Sequence, residues 1–124
     1  MNDYMIRATA ADDQIRAFAA TTRDMVENAK NAHNTSPVAT AALGRLMTAA
    51  SIMGSQLKNE EDSVTVRMAG GGPAGTLIAV SDSTGNPRGY VANPIVEIPL
   101  NAQGKLDVAG AVGKEGMLTV IKDV

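Results

Sequence analysis

"MAGGGPAGTLIAV", Met68 to Val80, is the stretch on which the fold turns. Gly70, Gly72 and Gly75 stand at the spacing G-x-G-x-x-G, which is the dinucleotide-binding fingerprint. That fingerprint works where a strand ends in a tight glycine turn and a helix N-terminus then receives the pyrophosphate. A strand does lead in, because Val64, Val66 and Met68 alternate with Thr65 and Arg67. No helix comes after the glycines. Thr76-Leu77-Ile78-Ala79-Val80 is a β-prone run, and Asp82-Ser83-Thr84-Gly85-Asn86 closes it with turn residues. A crossover helix needs about 10 residues or more, and there is no room for one. Pro73 removes a backbone N–H from the would-be phosphate cradle. Glu97 stands near the position of a ribose-binding acid, a spacing without meaning once the helix is missing. The Walker pattern fails as well, since Gly75 precedes Thr76-Leu77 and not Lys with a hydroxyl residue. The sequence therefore reads as a glycine loop between two antiparallel strands, with no nucleotide site.

Upstream lies the second decisive element. Thr35-Ser36-Pro37 starts a helix, with Ser36 suited to the N-cap and Pro37 to the first turn, where its missing N–H costs nothing. From Val38 to Leu57 the only charge is Arg45, and Ala, Gly, Ser and Thr fill most positions between Leu43, Leu46, Met47, Ile52, Met53 and Leu57. A helix without a polar stripe is a membrane span or a core element. Its length of about 30 Å would cross a bilayer. Its many alanines and hydroxyls, and the lack of basic or aromatic flanks, assign it to a soluble core instead. The small side chains let strands come close to it.

The remaining elements are read from patterning. Asp3 to Ala10 and Gln14 to Ala20 alternate around "AADDQ", a hairpin. Thr21-Thr22 ahead of Asp24 resembles a capping box for a helix whose face carries Met25, Val26, Ala29, Ala32 and His33, with Asn34 at its C-terminal end. "KNEEDS", Lys58 to Ser63, is a solvated connector. Arg88 to Val91 is a strand, Ile95 to Leu100 an edge or irregular piece broken by Pro99, Asp107 the cap of a short helical turn through Val112, and Met117 to Lys122 a final strand. The fold class is α+β: mostly antiparallel sheet packed around one long, buried, small-residue helix, with one further helix and a short helical turn.

Composition limits the chemistry. The 124 residues form one domain, 44% hydrophobic and 19% charged, hence globular. A net charge of −2 supplies no basic field for nucleic acid or an anionic membrane. Tyr4, Phe18 and Tyr90 are the only aromatics, too few for a base-stacking platform. No cysteine is present, which excludes disulfides, thiolate zinc sites and a cysteine nucleophile from these residues. "MNDYMIRATA" is not a signal peptide, so the cytoplasm is the expected compartment. His33, the single histidine, reads as a cation near a helix C-terminus. Glu60, Glu61 and Asp62 read as solvated acids without EF-hand spacing. Arg45, a lone charge in an apolar helix, could receive an anionic ligand, but reads rather as pairing with a carboxylate or reaching solvent at the helix edge. No catalytic, cofactor-binding or metal-binding set is expected, and the chain is not read as an enzyme.

"TSPVATAALGRLMTAASIMGSQLK", "GGGPAG", "GNPRGYVANP" and "GKLDVAGAVGKEGMLTVIKD" occur in the order and spacing typical of the 33 kDa chaperonin family, and "DYMIRATAADDQIRAFAATT" resembles its first hairpin. The likeness covers essentially the whole chain. Asp13 departs from it, standing where many members carry glycine, which bears on the turn type. The resemblance implies a cytoplasmic, redox-regulated holdase that binds unfolded client proteins under heat and oxidative stress. It also implies a C-terminal domain with four zinc-binding cysteines, whose oxidation releases the metal and unfolds the switch. None of those cysteines maps onto residues 1–124, so zinc and redox control are expected to belong to a longer parent, and this chain to match the N-terminal part of its core domain. The alternative is a structural or assembly module without holdase activity of its own. The expected client or association surface is the last strand, through Met117, Leu118, Val120 and Ile121, and self-association is expected there or on an uncovered sheet face.

Overall fold

The glycine loop joins two antiparallel strands, as its neighbours require. The structure, a computed structural model, describes residues 2–124. In chain order it forms β1 (Met5–Ala10), β2 (Ile15–Ala20), α1 (Arg23–His33), α2 (Pro37–Gly54), β3 (Ser63–Ala69), β4 (Thr76–Asp82), β5 (Pro87–Val91), α3 (Val108–Val112) and β6 (Met117–Asp123). Strands β1 and β2 pair only with each other, and the other four form an antiparallel sheet in the order β5-β4-β3-β6. The fold is α+β, as the pattern of elements predicts. After β5 at one edge, the irregular segment Ala92–Asp107 carries the chain to α3 and then to β6 at the other edge.

Helix α2 packs chiefly on β4 and β5 and less on β3. Only Pro37 and Arg45 of its residues are exposed, so Arg45 reaches solvent rather than a buried carboxylate. Beneath it, Leu43, Met47, Ala39 and Ala50 meet Val64, Val66, Leu77, Ala79 and Val91 in one core. Small residues set the spacing: a Cβ at Gly89 of β5 would collide with Met47 and Leu43, and one at Gly44 with Val26 of α1. No helix is long and apolar enough to cross a membrane among the described residues.

Three local readings need correction. Helix α2 ends at Gly54 instead of Leu57, because the chain tightens into i→i−3 bonds from Gln56 to Met53 and from Leu57 to Gly54. Thr22 does not cap α1 with its side chain; the Asp3 carboxylate does so from before the hairpin, accepting from Asp24 N–H at 3.2 Å and Met25 N–H at 2.9 Å. Ser36 makes no side-chain cap bond either, because its Oγ accepts from Val96 N–H at 2.9 Å and so anchors the segment after β5. Asn34 takes the expected left-handed conformation after α1, and Asp107 the expected cap of α3, accepting from Gly110 N–H at 3.0 Å.

Candidate functional site

The glycine loop is a backbone seam. Gly71 and Gly75 adopt φ of +80° and +73°, conformations that side chains resist. The amides that would cradle a phosphate already have partners: Gly72 N–H donates to Val112 O at 3.0 Å and Ala74 N–H to Ala111 O at 2.9 Å. A Cβ on Gly70 or Gly72 would run into the backbone of Ala111–Gly113, and one on Gly116 into the carbonyl of Ala69. The glycines permit this close approach of the two loops.

The residues selected as a surface all lie on β6, whose sole partner among the described residues is β3. Met117 is 70% exposed, Leu118 51%, Val120 44% and Ile121 56%. The register divides them. Leu118 lies opposite Met68 and Val120 opposite Val66, on the α2 side of the sheet; Met117 lies opposite Ala69 and Ile121 opposite Thr65, on the other side. On the α2 side a groove of about 260 Å³ runs between α2, α3 and β6, walled by Leu46, Ala49, Met68, Leu77, Val108, Val112 and Leu118, with Arg45 at its rim. On the other side, Val80 and Tyr90 are exposed beside Arg67 and Arg88. The edge strand thus offers unpaired backbone groups flanked by apolar side chains on both faces. Such an edge is a template for another extended chain.

Sequence reasoning found the strand but not the groove, which α2, β3, β4, α3 and β6 assemble together. The spacing of Ala42, Leu46 and Ala49 along one helical face is the only local trace of it. The alternation of the hairpin was legible, but not that its apolar face is exposed. Ile6, Ala8, Ala10, Ile15, Ala17 and Ala19 share one side of the β1–β2 hairpin, and all six are exposed. The hairpin turns through Ala11, Asp12 and Asp13, each at positive φ, so the departure at Asp13 retains the left-handed backbone that glycine would favour.

The charged candidates do not converge. His33 is exposed in the last turn of α1. Of the acidic run read as solvated, Glu60 and Glu61 are exposed, but Asp62 is buried, because it turns inward to accept from Asn59 N–H at 3.0 Å and so closes the connector's turn. Asp82, in the turn after β4, accepts from the Thr84 hydroxyl, from Asn86 N–H and from Thr84 N–H; the hydroxyl first and the Asn86 amide second hold its carboxyl below the usual carboxylate range.

Comparison with known proteins agrees with the fold. The family model described as "Hsp33 protein" matches residues 3–124. The 33 kDa chaperonin of Clostridioides difficile is 57% identical over the whole chain, which covers 43% of that protein, and that of Geobacillus sp. is 53% identical, with 42% covered. The crystal structure of the 33 kDa chaperonin from Thermotoga maritima superposes with a TM-score of 0.91 at 40% identity, over 97% of this chain and 41% of that one. The chain therefore spans less than half the length of the relatives it matches. With an antiparallel sheet under a small-residue helix and a family match over nearly every residue, the chain belongs to the Hsp33 protein family.

Proposed function

We propose that this chain is a client-holding part of a molecular chaperone, binding unfolded polypeptides during heat and oxidative stress in the cytoplasm. The names of its relatives support a chaperone role. The observation that carries the reading is β6: an open edge with Leu118 and Val120 on one face, Met117 and Ile121 on the other, and an apolar groove alongside. Backbone pairing is indifferent to client sequence, and apolar contact with Met and Leu is adaptable, which suits clients with no motif in common. The function needs no reaction chemistry and no cofactor within these residues. Redox control and zinc belong, on this reading, to cysteines elsewhere in a longer parent. The same edge and the uncovered sheet face also drive association of the chain with itself.

A light-scattering assay on a thermally unfolding client tests the proposal. The chain suppresses aggregation, peroxide and zinc chelators leave that activity unchanged because no thiol is present, and Leu118→Asp weakens it. Self-association without client protection would identify an assembly module instead. In parallel, sedimentation over a range of concentrations shows species larger than a monomer, whereas a strict monomer at high concentration would refute self-association.

A further inference from the structure

We draw no further inference here: the strongest candidate, the face of the four-stranded sheet turned away from α2, where Arg67, Ile78, Val80, Arg88 and Tyr90 lie together on β3, β4 and β5, carries nothing because nothing among the described residues shows what covers it in a chain spanning less than half the length of its relatives.

Discussion

On β4, Leu77, Ala79 and Ser81 face α2 and are at most 1% exposed; on β6, two strands away in the same sheet, the equivalent Leu118 and Val120 remain about half exposed. Both strands have complete register with β3. The difference lies in the helix, which covers β4 and β5 and stops short of β6. Ladder hydrogen bonds make a strand, but only the second layer makes it part of the core. The β1–β2 hairpin repeats the lesson at the other end of the chain, with a regular ladder and one apolar face wholly exposed. A well-covered centre thus carries, at either end of the chain, a ladder with an apolar face that no second layer covers among the described residues.

Truncation in the two regions should separate them most. Leu43→Ala and Leu77→Ala each remove a buried side chain and leave a cavity, costing about 2–5 kcal/mol. Ile121→Ala, at an exposed site, stays within about 0.5 kcal/mol. Urea unfolding of the three variants decides it, and similar costs for Leu77→Ala and Ile121→Ala would break the comparison. Adjacent alanines of α2 sharpen it. Ala50 is fully buried, so Ala50→Leu overpacks the core by about 1–3 kcal/mol. Ala49 borders the groove, which has room for the added carbons, so Ala49→Leu costs clearly less. Equal destabilisation by the two would mean that the groove is closed in solution.

Much of this was legible in the sequence because its causes are local. Pro37, the run after it whose only charge is Arg45, the alternation in β3 and the missing helix after Gly75 each report on their own neighbourhood, and together they define the sheet and its helix. The failures share a different origin. The α1 cap comes from Asp3, 21 residues away, and the partner of Ser36 is Val96, 60 residues away. The glycine loop was legible as a turn, but the reason for Gly70, Gly71 and Gly72 is the 111–116 backbone that lands on them. Alternation in β1 and β2 signals a half-buried strand, and nothing local reveals that the apolar half faces solvent. The surface residues of β6 could be chosen from their strand alone, whereas the groove beside them exists only after α2, β3, β4 and α3 have met.

The Asp3 cap joins the hairpin to the centre, and its loss should register on both. Asp3→Ala leaves two N–H groups at the start of α1 without their acceptor, at a cost of about 1 kcal/mol. Hydrogen exchange then rises in the first turn of α1 and in the hairpin together. A rise confined to α1 would show that the hairpin is held by other contacts.

The smallest effect belongs to the turn between β4 and β5, at the well-covered end of the sheet. The Asp82 carboxylate accepts three hydrogen bonds on one oxygen, led by the Thr84 hydroxyl and followed by Asn86 N–H, with Arg88 adding a little attraction. These bonds favour the charged form, so the folded-state pKa lies below the unfolded value of about 3.9. A carboxyl lowered in this way stabilises the fold fully above the unfolded value, and the contribution disappears as pH falls through the folded one. The group is exposed, and solvent screening keeps the gain small. Asp82→Asn should therefore lower Tm slightly at neutral pH, and the gap to the wild type should narrow as the solution is acidified. Thr84→Val, which removes the leading donor, should reproduce most of that pattern. A gap that stays constant across the acid range would assign the effect to the shape of the turn rather than to the charge it holds.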